Sequence, residues 1–387
     1  MTDSPLLEAF AACLPGVEPF LAQELADLGY IAGAKVTQYQ PGEGGVGFSS
    51  TLEGLYRANL WLRSANRVLL RLGRFHALQF VELRRKAASL PWERYLIPGQ
   101  PVAIRSTCHH SKLYHSGAVS ERVLGAIGDR LKRVPEALTY DEEQPSAQLV
   151  LVRLDNDVCT ISLDTSGEPL HRRGYRQALG KAPLRETVAA AMLYASGWDR
   201  RSPLLDPFCG SGVIPIEAAL LAAGIPPGRN RSFAFMNWPG YQAQTWERFN
   251  TKAEKKFHPP DGPILGSDRD AGAVQAAIEN AERAGVAQWI QFTQAAVSAI
   301  QPPAHPGWVV TNPPYGVRIS AGNDLRGLYT QFGKVLRSLC PGWHAAYLCN
   351  DERLASLTRL EFEKGVSLSN GGIPVKLTRA LVQNSQA

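Results

Sequence analysis

Leu204-Leu205-Asp206-Pro207-Phe208-Cys209-Gly210-Ser211-Gly212 is the stretch that decides the fold of the C-terminal half. Leu204 to Asp206 reads as the end of a short strand, and Val213 to Ala223 carries on as a helix. Between them, Gly210 and Gly212 let the backbone turn sharply and approach a ligand with no Cβ in the way, while the helix N-terminus offers free amides to a carboxylate. Loops of this kind also close βα units that bind nothing. The spacing is neither that of a dinucleotide-binding G-x-G-x-x-G loop nor that of a P-loop.

Working outward, Pro263 to Asp268 reads as a second strand, Ala271 to Ala284 as a helix stopped by Gly285, and Trp308 to Thr311 as a further strand. Strand and helix alternating in this way predict an α/β unit with a doubly wound, mostly parallel sheet. Within Gly266-Ser267-Asp268-Arg269-Asp270, Asp268 can accept both hydrogen bonds of a ribose diol or equally cap a helix. Asp270, directly before Ala271, is the better cap. Asp268 stands 58 positions after Gly210, where nucleotide-binding folds place this acid about 20 positions on. An insertion is therefore expected, and Ile225 to Gly262, rich in Pro, Gly and aromatic residues, supplies it.

Asn312-Pro313-Pro314-Tyr315 follows the apolar strand end Trp308-Val309-Val310. Two prolines stiffen the chain and remove two donors, so the Asn312 amide oxygen and the Pro313 carbonyl can face one target. Two acceptors suit an NH2 group on a base, and the Tyr315 ring adds a surface for stacking.

The N-terminal half reads as α+β. Helical spacing runs from Val17 to Leu28 and again from Leu52, with strand-like stretches at Ile31 to Tyr39, Val46 to Phe48, Arg67 to Phe75 and Pro101 to Ser106. Val119 to Arg133 is helical. Gln148 to Leu154 and Val158 to Leu163 flank Asp155-Asn156-Asp157, a hairpin signal. Between Arg57 and Lys86 eight basic residues stand against one acid, Glu82, which marks a candidate phosphate-holding run. The turn-forming Asp164 to Pro169 then marks a boundary.

Composition is that of a soluble globular protein of 387 residues, 44% hydrophobic, with a net charge of +6 that permits a polyanionic partner. The apolar runs are too short to span a bilayer, and the acidic N-terminus is unlike a signal peptide, so a cytoplasmic protein without membrane partner is expected. Cys108-His109-His110 with His115 lacks a second set of ligand spacing, and no metal is expected.

In this order the three C-terminal motifs resemble the Rossmann-like S-adenosylmethionine (SAM)-dependent methyltransferases that modify nucleic-acid amines. The chain is similar, over almost its whole length, to the bacterial THUMP-domain RNA methyltransferases that make N2-methylguanine in 23S rRNA. The likeness runs through Ile161-Ser162-Leu163-Asp164, His171-Arg172-Arg173-Gly174-Tyr175-Arg176, Ala182-Pro183-Leu184-Arg185-Glu186-Thr187, Leu205 to Gly212, Gly266-Ser267-Asp268 and Thr311 to Gly316. It implies a ferredoxin-like domain over 1–60, a THUMP RNA-binding domain over 61–165 and a Rossmann-like methyltransferase domain over 170–387. It implies that Asp206, Gly210 and Gly212, with Pro207 and Phe208 between them, hold the methionine end of SAM. Asp268 would hold the ribose, Arg185, Glu186 and Thr187 would line the cofactor pocket, and Asn312 to Tyr315 would take the base. Arg172, Arg173, Arg176 and Lys181 would hold RNA phosphates. Many relatives carry an Asp after the third strand for the adenine amine, whereas Phe292-Thr293-Gln294-Ala295-Ala296 has none. Cys209 is read as a small apolar residue, since methylation of a base amine needs no nucleophile. The other readings are a tRNA guanine-N2 methyltransferase, an adenine-N6 DNA methyltransferase, and a non-catalytic RNA-binding ribosome-assembly factor.

Overall fold

The computed structural model describes residues 6–29, 44–142, 146–176, 184–315 and 325–383. The expected strand at Ile31 to Tyr39 and the expected phosphate ligand Lys181 lie outside the described residues.

The N-terminal half folds as β1 (Leu7–Ala12), α1 (Glu18–Asp27), β2 (Gly45–Ser50), α2 (Leu52–Trp61), β3 (Arg67–His76), α3 (Phe80–Ala88), β4 (Val102–His109), α4 (Ser116–Leu131), β5 (Gln148–Asp155) and β6 (Val158–Asp164). Its strands form one six-stranded sheet in the order β2-β1-β3-β6-β5-β4, antiparallel except for the parallel pair β4 and β5. Alternate residues such as Val68, Leu70, Val150, Val152, Ile161 and Leu163 are fully buried, in one core with Leu21 and Leu25 of α1, Leu55 of α2, Leu83 of α3 and Val123 and Ile127 of α4. The period of two therefore gives the sheet one helix-covered face and one other. The β5–β6 hairpin closes where Asp155-Asn156-Asp157 predicts it. Asn156 and Asp157 adopt left-handed φ values of 50° and 62°, as the tight turn between right-twisted strands demands.

The C-terminal half continues with α5 (Glu186–Ser196), β7 (Leu204–Asp206), α6 (Val213–Ala222), α7 (Ala243–Glu254), β8 (Ile264–Asp268), α8 (Ala271–Ala284), β9 (Ile290–Gln294), β10 (Trp308–Thr311), α9 (Arg326–Leu339), β11 (His344–Cys349), α10 (Glu352–Ser356), β12 (Val366–Asn370) and β13 (Ile373–Leu381). The seven-stranded sheet has the order β12-β13-β11-β10-β7-β8-β9. Strands β9, β8, β7, β10 and β11 run parallel, whereas β13 is antiparallel to β11 and β12 to β13. The chain winds outward from β7 to β9 and then returns to place β10 on the other flank of β7. The loops leaving β7 and β10 diverge at that reversal, which is where an open α/β sheet forms its ligand crevice.

Helix α6 is apolar but for Glu217 and buried along its whole length, so it needs cover on the side away from the sheet. The N-terminal half provides part of it. The buried Arg63 guanidinium donates to the carbonyls of Leu220 (3.2 Å) and Ile225 (2.5 Å) at the end of α6. Asn59 donates to Thr165 Oγ1 and accepts from Ser166 Oγ, each at 2.7 Å, so the expected boundary at 164–169 is a buried, hydrogen-bonded junction. The 225–262 insertion closes the same junction from outside. Phe235 stacks on Tyr56 at 4.4 Å, and Trp238 packs edge-on to Tyr95 at 4.9 Å while its Nε1 donates to Gln148 Oε1 at 2.9 Å.

The junction corrects the expectation that the Arg57 to Lys86 run holds phosphates as a unit. Arg63 is inside the protein, Arg67 pairs with the buried Asp164 (2.6 Å), Arg84 with Asp129 (2.7 Å), and Lys86 with Glu82 (2.7 Å). Uncapped carbonyls and acids distant in sequence claim Arg63, Arg67 and Arg84 once the chain is folded, and Glu82, one helical turn away, claims Lys86. Among the described residues no helix is long and apolar enough to cross a membrane, and no group of three or more His, Cys, Asp or Glu could hold a metal ion.

Candidate active site

The β7 loop is built by backbone conformation. Gly210 and Gly212 have φ values of +50° and +82°, and the Cys209 amide donates to the Ser267 carbonyl (2.9 Å), lashing the loop to β8. A Cβ on Gly212 would stand 2.9 Å from the Ala277 Cβ and 3.1 Å from the Phe292 ring, so this glycine is required by packing. A Cβ on Gly210 would have nothing within 4 Å. The two glycines therefore differ: one seats the loop on α8 and β9, and the other leaves a bare backbone facing open space.

Asp206 ties the strand ends together. It is 1% exposed, and its Oδ1 accepts from the Phe208 amide (3.2 Å) and the Thr311 hydroxyl (2.5 Å), which links the β7 loop to the end of β10. Burial pushes its carboxyl up to about 7. Asp268 at the tip of β8 accepts from the Gly210 amide through Oδ2 and from the Asp270 amide through Oδ1, both at 3.0 Å. Asp270 in turn accepts from the Ala273 amide (3.0 Å) and is the cap of α8. Asp268 thus positions the glycine loop, and each carboxylate oxygen keeps lone-pair capacity for a further donor. Burial raises the Cys209 thiol well above its ordinary range, which leaves it a neutral packing group.

At the end of β10 the Asn312 Oδ1 is buried with no hydrogen-bond partner among the described residues. A buried acceptor without a donor is costly, by about 1–3 kcal/mol, and is expected where a ligand supplies the donor. Neighbouring groups hold the turn around it. The Pro314 carbonyl accepts from the Tyr329 hydroxyl (3.2 Å), and the Tyr315 hydroxyl accepts from Asn370 Nδ2 (2.7 Å) at the tip of the β12–β13 hairpin. Tyr315 is only 5% exposed, which corrects its expected role: its ring is packed into the protein as a brace of the Asn312 turn and is not laid open for stacking. Phe208 packs edge-on against Phe332 at 5.3 Å. Asn370 was invisible to motif reading, because its only local signal is the Asn370-Gly371-Gly372 turn.

The 172–187 segment divides. Arg173 and Arg176 are turned inward, contrary to the expectation that they hold phosphates. Arg173 donates to the carbonyls of Leu170 and Arg63 and pairs with the buried Glu217 at 3.6 Å. Arg176 donates to the Leu184 carbonyl (2.7 Å) and pairs with the buried Glu186 at 3.4 Å. A carboxylate in an apolar interior needs a cation beside it, and the lone Glu217 inside Val213 to Ala222 was the sequence signal for that. Burial pushes Glu186 up to about 7, and its Oε2 has no hydrogen-bond partner among the described residues. Thr187 Oγ1 donates to Asn66 Oδ1 (3.0 Å), Arg185 is exposed at the start of α5, and Arg172 is half-buried. Gln294 is exposed on the edge strand and donates at 3.4 Å to the Arg269 carbonyl.

A seven-stranded sheet of this order, with a glycine loop, a carboxylate and an Asn-Pro-Pro-Tyr turn at the carboxyl ends of β7, β8 and β10, defines a Rossmann-like methyltransferase. The chain belongs to the RMKL-like methyltransferase family, whose domain matches residues 173–379, preceded by matches to the RlmL ferredoxin-like domain over 8–69 and to the THUMP domain over 78–164. It is 36% identical over 388 residues to the ribosomal RNA large subunit methyltransferase K/L of Methylococcus capsulatus, covering 96% of this chain and 51% of that protein. A Synechocystis protein provisionally named as an RNA methyltransferase is 35% identical over 373 residues, covering 96% of this chain and 95% of that one. A provisionally assigned methyltransferase crystallised with S-adenosylhomocysteine superposes with a TM-score of 0.85 at 29% identity, covering 98% of this chain and 99% of that one. The chain spans about half the length of the K/L relatives, 51% and 53% for two of them.

Proposed function

We propose that this protein uses SAM to methylate the exocyclic N2 amine of a guanine in RNA, with 23S rRNA in the cytoplasm as the substrate. The observation that carries the reading is the buried Asn312 Oδ1 at the β7/β10 crevice, which has no hydrogen-bond partner among the described residues. The crevice fits the cofactor on its own chemistry: Gly210 leaves bare backbone facing open space, and Asp268 has acceptor capacity left for a diol. Asp206 gives the same rim a buried carboxyl for an ammonium. Bound SAM supplies a methyl group already activated by its sulfonium. The protein's part is alignment. Asn312 and the Pro313 carbonyl would accept the two amine hydrogens, turn the nitrogen lone pair out of the base plane, and stabilise positive charge developing on nitrogen. An amine within a stacked helix is out of reach, so the target guanine is unpaired or flipped.

The test is mass-spectrometric mapping of methylated guanines in cells lacking the protein. Loss of one N2-methylguanine from 23S rRNA is expected. Loss from tRNA instead would move the substrate, and an unchanged set of methylated guanines would leave a non-catalytic assembly factor.

Asp206 adds a pH dependence. Its carboxyl in the folded, unliganded protein titrates at about 7, above the ordinary 3.8, so the protonated form is the one that folding favours. The stability this contributes is complete below pH 3.8 and is lost as pH rises through about 7. An ammonium brought beside the group favours the ionised form, so SAM affinity should tighten as pH rises through about 7. Titration calorimetry across that range measures it, and Asp206→Asn should flatten the profile. A flat profile in the wild type would remove Asp206 from the methionine end.

A further inference from the structure

The face of the six-stranded sheet turned away from α1 to α4 carries its charge in register. Across β3, β6, β5 and β4 one row reads Arg74, Thr160, Arg153, Thr107, and the next reads Arg71, Ser162, Leu151, Arg105. These residues line a shallow hollow of about 660 Å³, in which four guanidiniums accompany a single carboxylate, that of Asp155. Neighbouring strands lie about 4.8 Å apart. Arg74 and Arg153 are therefore about 10 Å apart across the sheet at their backbones, and Arg71 and Arg105 about 14 Å. Hydroxyl groups or an aliphatic side chain fill the places between.

Three of the four cations face solvent, and Arg71 is half-buried over the Phe10 ring. Arg74, Arg105 and Arg153 are exposed; Arg153 meets Asp155 at 3.0 Å and Arg105 meets Glu142 at 3.7 Å, both half-exposed pairs. Surface pairs of this kind contribute little and exchange readily for another anion. None of the four arginines belongs to the cluster at 172–181, of which Arg173 and Arg176 are turned inward.

We infer that this sheet face is the surface on which a double-stranded stem of the RNA substrate docks, held by its phosphates and 2′-hydroxyls. The inference rests on the RNA-methyltransferase reading and adds where, and in what form, the RNA is gripped. Charge complementarity names the polyanion. Among the described residues the hollow offers no open stacking ring, which selects the duplex: Phe10, the aromatic residue lining it, lies under the Arg71 guanidinium at 4.7 Å, whereas surfaces that take unpaired strands stack bases on open rings. Guanidiniums and hydroxyls at fixed spacing match the sugar–phosphate edges by which A-form helices are recognised. The buried junction joins this sheet to the methyltransferase half.

The test uses the full chain and an RNA duplex of about 16 base pairs, with one of its strands alone as the second probe. Binding is measured against salt for the wild type, for Arg105→Glu/Arg153→Glu, and for Arg85→Glu on the exposed side of α3. The double variant is expected to bind the duplex at least about tenfold more weakly and to lose about 1.8 from the slope of log affinity against log salt, two phosphate contacts at about 0.9 each. Its thermal midpoint and SAM affinity should match the wild type, and Arg85→Glu should leave the slope alone. An unchanged slope in the double variant, an equal loss in Arg85→Glu, or a wild-type preference for the single strand would overturn the inference. Methyl transfer to rRNA by the wild type is scored separately. If none occurs while duplex binding depends on Arg105 and Arg153, the enzymatic reading fails and the docking surface stands.

Discussion

Asn312→Ala is expected to lower the single-turnover rate of methyl transfer by roughly 100-fold or more, with SAM affinity and RNA affinity close to those of the wild type. The size follows from the position of the lost atom. Among the described residues Oδ1 is a buried acceptor with no donor, already held in place before the substrate arrives, and it meets the amine most tightly as the nitrogen takes on positive charge. Removing one preorganised polar group of that kind from an active site costs about 2.7–4 kcal/mol in the barrier. The cofactor side of the crevice is untouched, because Gly210, Asp206 and Asp268 are held by one another, by Phe208, by Asp270 and by Thr311. Asn312→Asp is the informative companion, since it keeps an acceptor of similar shape and adds a charge. Rates are compared with SAM and RNA both saturating. Near-normal transfer by the alanine variant would mean that the amine is held elsewhere and that the turn serves structure alone.

The second large effect is on stability. Arg173→Ala should destabilise the fold by about 3–5 kcal/mol, because it leaves the Glu217 carboxylate buried without its cation and strips the carbonyls of Leu170 and Arg63 of their donor. Urea unfolding measures it. At a temperature where the variant remains folded, the salt dependence of its RNA binding should equal that of the wild type, since the side chain is only 3% exposed. A stable variant with a reduced salt slope would restore Arg173 to the RNA surface. Arg173→Ala/Glu217→Ala should recover part of the loss, because the uncompensated charge is then gone.

These two residues mark the division between what was legible in the chain and what was not. Asn312 sits in a motif whose chemistry is local. Two prolines after an apolar strand end dictate a stiff turn with acceptors, whatever surrounds it. Arg173 sits in an equally conspicuous basic stretch, yet its direction is set by Glu217, 44 positions on, and by carbonyls of the N-terminal half. Tyr315 lies between the two cases: the motif placed it at the site, and only Asn370, on a hairpin 55 positions away, decided that its ring is braced inside.

The sequence by itself determined whatever follows from period, cap and turn chemistry. It marked α8 from its Asp270 cap to its Gly285 stop, the strands β7 and β10, the hairpin turn at Asp155-Asn156-Asp157, and the glycine loop at Gly210 and Gly212. Such features depend on φ/ψ preferences and on apolar spacing within a few residues. The tertiary structure alone decided that the N-terminal strands share one six-stranded sheet, that the 225–262 insertion clamps the two halves together, and which arginines face inward. It also aligned Arg74 with Arg153, 79 positions on, and Arg71 with Arg105, 34 positions on, on one face. The reason is the reach of the interactions. A guanidinium pairs with whichever carbonyl or carboxylate the packing brings near, and its own neighbours in the chain carry no record of that partner.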